Sequence, residues 1–143
     1  MVRFIWKFLC QDFARTVRIN NRKLLTALLK KYDIREGEPA LSVLRTLDKL
    51  PKIGEAKTRA LFASDNGLSA TAIDGIFEFL NLDPAQLSDF FEGEETGARG
   101  ATELQTLLGL ATEMGIRDVV DVDLSIARGL DYYTGTIYET FLT

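Results

Sequence analysis

The chain has 143 residues, 46% of them apolar, with no histidine, one cysteine and a net charge of −4. This length gives one ordinary domain or pieces of two, and the composition excludes Ser-His-Asp triads, Cys-His pairs, His-based zinc sites and an internal disulfide. No stretch has the apolar length of a membrane span, and residues 1–13 lack a signal-peptide cleavage pattern, so the sequence reads as cytoplasmic.

Residues 1–10 are rich in Phe, Ile, Trp and Leu and fit either a buried strand or a short helix. Thr16-Val17-Arg18-Ile19 alternates and reads as a strand. Asn20-Asn21 then offers a helix N-cap, and Leu24, Leu25, Leu28 and Leu29 recur at helical spacing, which predicts a helix over 22–31. After a polar linker at 33–39, five helical pieces are expected. The first spans about Ala40–Leu50 and is stopped by Pro51. The second covers Glu55–Ala63. The third starts at Ser69 as N-cap, with Ile73, Ile76, Phe77 and Leu80 on one stripe. The fourth starts at Asp83-Pro84. The fifth runs from about Thr102 to Met114, with Gly115 as a left-handed cap. The acidic, glycine-rich stretch Glu92–Gly100 reads as a mobile loop. Val122, Leu124 and Ile126 then alternate as a strand, and Thr136–Leu142 reads as its hairpin partner. The pattern is α+β, a sheet domain interrupted by a helical insert.

Charge divides unevenly. Residues 1–62 carry 14 Lys and Arg against 6 Asp and Glu; residues 63–143 carry 3 against 15. A basic half of this kind suits either solvated helix faces or contact with nucleic-acid phosphates.

The stretch Leu124-Ser-Ile-Ala-Arg-Gly-Leu-Asp-Tyr-Tyr-Thr-Gly-Thr-Ile-Tyr-Glu139 concentrates the chemistry. Arg128 sits among apolar residues, where its guanidinium needs an anion: a ligand's carboxylate or phosphate, or an internal partner such as Asp123 or Asp131. Glu139 and Asp131 are alternative braces for it. Tyr132 and Tyr133 offer flat faces with polar tips, which suit a small polar ring as well as ordinary packing. Gly129 and Gly135 fit backbone turns or close approach of a ligand. No Walker sequence or Rossmann fingerprint occurs.

This block closely resembles the histidine-recognition motif of histidyl-tRNA synthetases. Two further segments resemble that family in its order. Val17-Arg-Ile-Asn-Asn-Arg-Lys-Leu-Leu25 is similar to the strand-to-helix element that leads into the family's insertion domain. Val43-Leu-Arg-Thr-Leu-Asp-Lys-Leu-Pro-Lys-Ile-Gly54 is similar to the start of that insertion. The resemblance implies a partial class II synthetase antiparallel sheet with a helical insertion domain. The implied division is 1–37 core, 38–115 insertion and 116–143 core strands.

It also implies a dimeric ligase that activates L-histidine with ATP and Mg2+ and transfers it to tRNA(His), without membrane attachment. Arg128 would then contact the α-phosphate and the amino-acid carboxylate. Tyr132 and Tyr133 would line the pocket, with Tyr133 the better donor or acceptor for the imidazole. Arg45, Lys49, Lys52, Lys57 and Arg59 would face tRNA phosphates. The three class II motifs that form the dimer and hold ATP are not recognised, nor is an anticodon-binding domain. The chain is therefore expected to be an internal piece, inactive alone and without a cofactor of its own. Its helical insert should fold well, while strands with open edges should be labile or associate. Two other classes use the same fold or part of it: a non-catalytic relative, such as the regulatory subunit of ATP phosphoribosyltransferase or a sensing domain of a starvation-response kinase, and a freestanding tRNA-binding module.

Overall fold

Strand β1, Arg15–Asn21, is the centre of a three-stranded sheet of order β2-β1-β3. The computed structural model describes residues 15–128 and 134–142, so the expectations for residues 1–10, Gly129, Asp131, Tyr132 and Tyr133 lie outside the described residues. β1 runs straight into helix α1, Arg22–Lys31, because Asn21 accepts a hydrogen bond from the Lys23 N–H and so caps the helix start. α1 buries Leu24, Leu25, Ala27, Leu28 and Leu29, the apolar stripe visible in the sequence.

The helical stretch follows as α2 (Glu38–Leu47), α3 (Leu50–Ile53), α4 (Glu55–Ser64) and α5 (Ala70–Leu80), then a 3-10 turn at Pro84–Gln86, α6 (Leu87–Phe90) and α7 (Glu95–Glu113). Ser69 caps α5 and Asp83 caps the 3-10 turn, both as expected, and Gln86 completes a capping box with Asp83. Gly115 takes the left-handed conformation (φ 68°) after α7.

Two helix boundaries differ from the sequence reading. Pro51 does not stop the first helix, which ends at Leu47. It lies in the first turn of α3, where its missing N–H and fixed φ cost nothing. Of Glu92–Gly100 only Glu92–Glu94 lies outside a helix, since α7 begins at Glu95. Glu94 caps it by accepting from the Gly97 N–H at 2.6 Å. Gly93 turns the chain (φ 80°), but Gly97 and Gly100 serve packing. A β-carbon on Gly97 would lie 2.4 Å from Phe91 Cγ, and one on Gly100 would lie 3.1 Å from the backbone nitrogen of Leu24. Their missing side chains let α7 lie close against α1 and the Phe91 corner.

The strand pairing differs as well. β2 (Val120–Val122) and β3 (Thr136–Leu142) do not form a hairpin. Both pair with β1. β2 runs parallel to it, with Val17 opposite Val120, and β3 runs antiparallel, with Arg18 opposite Glu139. The sheet is therefore mixed, not antiparallel, and the whole helical stretch is the crossover that a parallel pair requires. β2 stops at Val122 because Asp123 turns the chain. Its carboxylate accepts from Ser125 N at 3.0 Å and Ser125 Oγ at 2.5 Å. Leu124 and Ile126 are buried by this turn and the segment after it, outside any strand.

One apolar cluster runs from Ile19 through Leu24, Leu44 and Phe62 to Phe91 and Leu104, so sheet and helices share a core.

Candidate ligand-gripping arginine and its frame

Asn20 is fully buried, and its position sets that of Arg128. Its side-chain amide donates to the carbonyls of Leu124 and Ile126, each at 3.0 Å, and its oxygen accepts from the Asn21 N–H at 2.8 Å. The two bonds to Leu124 and Ile126 hold segment 123–128 against β1 and satisfy carbonyls that would otherwise be buried unpaired. Beside Asn20, Arg18 meets Asp123 at 3.2 Å, so Asp123 is partnered by Arg18 and not by Arg128.

Arg128 emerges at the end of this segment with 56% of its side chain exposed. Its Nη1 lies 2.5 Å from Glu139 of β3, and its Nε lies 3.2 Å from Asp48, the residue that ends α2. Glu139 thus braces Arg128, while the other alternative, Asp131, lies outside the described residues. Asp48 gives no local signal in the sequence, because it comes from the end of a helix 80 residues earlier. The arrangement is an oriented, solvent-reachable cation between two carboxylates. Chemically it can grip a planar anion once one carboxylate gives way.

A second polar knot fixes the β1–α1 corner. Asn21, also fully buried, donates to Glu103 of α7 at 2.8 Å, and Lys23 reaches the same carboxylate at 2.9 Å. The bonds from Lys23 and Asn21 hold the Glu103 carboxyl below its usual range. The Arg22 N–H donates to the Gly135 carbonyl at 2.8 Å, which ties the start of β3 to the same corner.

The five basic residues read as nucleic-acid contacts divide into two groups. Arg45 is paired with Glu38 at 2.6 Å. Arg59 bridges Glu55 and Asp74, each at 2.7 Å, and stacks 4.3 Å over Phe77. Lys49, Lys52 and Lys57 are exposed and make no ion pair among the described residues. Lys49 and Lys52 are one helical turn apart at α3, joined by a backbone bond of 2.9 Å. A cavity of about 600 Å³ lies along α1 and the start of α2, lined by Arg22, Leu29, Ile34, Arg35 and Leu41, and it does not include Arg128. Among the described residues no group of three or more acidic or cysteine side chains gathers to hold a metal ion. No helix of the described residues is long and apolar enough to cross a membrane.

Comparison with known proteins gives consistent relatives. The chain is 39% identical over 136 residues to a histidine–tRNA ligase of Rhodopirellula baltica and 36% identical over 146 residues to that of Paracoccus denitrificans. These matches cover 90% and 89% of the chain and 30% of each relative, so the chain spans about a third of the curated relatives it matches. The crystal structure of histidyl-tRNA synthetase from Nostoc sp. PCC 7120 superposes with a TM-score of 0.84 at 32% identity, covering 99% of this chain and 34% of that one. A structure titled ATP phosphoribosyltransferase regulatory subunit/histidyl-tRNA synthetase, from Bacillus halodurans, shares the fold with a TM-score of 0.70 at 22% identity. No family model matches the chain.

Proposed function

We propose that this chain works as part of a cytoplasmic histidine–tRNA ligase of class II, which activates L-histidine with ATP and passes it to tRNA(His). The identity along nine-tenths of the chain to ligases from several bacteria supports this reading. The single observation that carries it at the site is Arg128, held at 2.5 Å by Glu139 yet more than half exposed. A permanently charged, pre-oriented guanidinium is what adenylate formation needs, since negative charge shifts between a carboxylate and an α-phosphate during that step. Arg128 in this role binds the histidine carboxylate and then the α-phosphate. Asn20 and Glu139 position it, and Tyr132 and Tyr133 line the amino-acid pocket. Lys49, Lys52 and Lys57 contact tRNA phosphates, while Arg45 and Arg59 would first have to leave their carboxylate partners. In this reading residues 38–115 form the insertion that meets the tRNA, residues 1–37 and 116–143 belong to the catalytic core, and the complete enzyme is a homodimer.

Isothermal titration with L-histidine and with a histidyl-adenylate analogue tests this on the full chain. Saturable binding that Arg128→Ala abolishes is expected. Binding that survives Arg128→Ala would refute the role of the arginine.

A further inference from the structure

Arg128 bears two internal carboxylates that differ in kind. Glu139 belongs to β3, its side chain is 22% exposed, and it meets Nη1. Asp48 belongs to the end of α2, is 38% exposed, and meets Nε at 3.2 Å, longer than a strong charge-assisted bond. The side-on fork of a guanidinium, the edge that takes a carboxylate or phosphate with two parallel bonds, is formed by Nε and Nη2. Glu139 leaves that fork open. Asp48 sits on it.

Nothing in α2 itself favours Asp48. It ends a helix, where the partial charge of the carbonyls disfavours a carboxylate. Its backbone N–H continues the helix by donating to Leu44, but its side chain is not the cap. The one described partner of that carboxylate is Arg128.

We infer that Asp48 is an exchangeable internal anion on the side-on fork of Arg128, displaced when a carboxylate- or phosphate-bearing ligand arrives, so that occupancy of Arg128 releases the corner between α2 and α3. This rests on the reading of Arg128 as the anion-gripping residue. A displaced Asp48 faces the ligand's like charge and is pushed away from it. The corner that moves carries Lys49 and Lys52, so small-anion binding at the sheet is linked to the placement of two exposed cations on the helical side. The linkage is reciprocal: whatever holds that corner away from Arg128 favours the ligand.

Hydrogen exchange of the amides over 45–54, together with titration of the histidyl-adenylate analogue, tests this on the full chain, on Asp48→Asn and on Arg128→Ala. Both variants, without ligand, should speed exchange over 45–54 by about two- to fivefold, the range set by an exposed ion pair. The analogue should speed the same amides in the unaltered chain but add nothing in Asp48→Asn, which should bind it about two- to fivefold more tightly. Unchanged melting of Asp48→Asn by circular dichroism excludes a folding defect. Unchanged ligand-free exchange in both variants would overturn the Asp48 contact whatever the ligand does. Equal affinity of Asp48→Asn and the unaltered chain, with binding still abolished by Arg128→Ala, would overturn the competition and leave the reading of Arg128 intact. Absence of binding in every form would overturn that reading and the coupling with it, even if ligand-free exchange had responded.

Discussion

Replacing Gly97 by alanine should destabilise the chain, although the same change in most helix interiors stabilises. Gly97 is in the first turn of α7, and an added β-carbon would lie 2.4 Å from Phe91 Cγ, 2.6 Å from Cδ1 and 2.8 Å from Phe91 Cβ. Rotating the ring cannot relieve the last of these, so the backbone around Phe91 has to move. Phe91 is 1% exposed and stands edge-on to Phe79 and Phe90, with ring centres 5.9 and 4.9 Å away. Its carbonyl also accepts from the Glu94 N–H at 2.9 Å, and Glu94 caps α7. Overpacking of such a site costs about 1–3 kcal/mol. Helix propensity returns about 1 kcal/mol when alanine replaces glycine. The net is a loss of up to roughly 2 kcal/mol, or a Tm lower by up to about 8 °C for a chain of this size.

Gly109 is the control. It lies in the same helix, is exposed, and a β-carbon there meets nothing within 4 Å. Gly109→Ala should therefore raise stability by up to about 1 kcal/mol. Urea denaturation of both variants, followed at 222 nm, measures the difference. Equal shifts of the same sign would refute the close approach of Phe91 to α7.

Asn20→Ala leaves two buried carbonyls and one N–H without their partner, which should cost about 3 kcal/mol or more in a urea titration; Asn20→Asp, which keeps the acceptor but loses the donor, should be no better. The Glu103 carboxyl lies below its ordinary value of 4.5 in the folded chain, first through Lys23 and then through Asn21. Its contribution is therefore complete above that value and is lost as pH falls through the lower folded one. The stability gap between the unaltered chain and Glu103→Gln should narrow below about pH 4.5, and a gap constant down to pH 3 would refute this.

The sequence displayed the apolar stripes of α1 and α5, the caps at Asn21, Ser69 and Asp83, and the α+β class, because these follow from local spacing and short-range hydrogen bonds. Glu92–Gly100 misled because glycine is permissive for turns and equally for tight packing. Only the partner surface, here Phe91 and Leu24, distinguishes the two. The hairpin misled because two strands close in sequence usually pair; that β1 lies between them is a tertiary fact. At the site, Arg128 and Glu139 were legible as neighbours in one motif. Asp48 lies in another resembling segment, but no local pattern links a residue that ends a helix to an arginine 80 residues on. In the sequence Asn20 and Asn21 together look like a cap. Its grip on Leu124 and Ile126 needed the fold.

The central place of β1 has a consequence for synthesis. Val17 waits for Val120, and Arg15 for Leu142, before either side of the strand finds its partner. At ordinary elongation rates that interval is roughly 5–20 s or longer, ample for the intervening helices to collapse first. During it β1 is a nascent segment with two unsatisfied edges, open to pairing with a neighbouring copy on the same message or to capture by a holding chaperone. Slow translation between codons 22 and 119 would lengthen that exposure without changing one residue of the product.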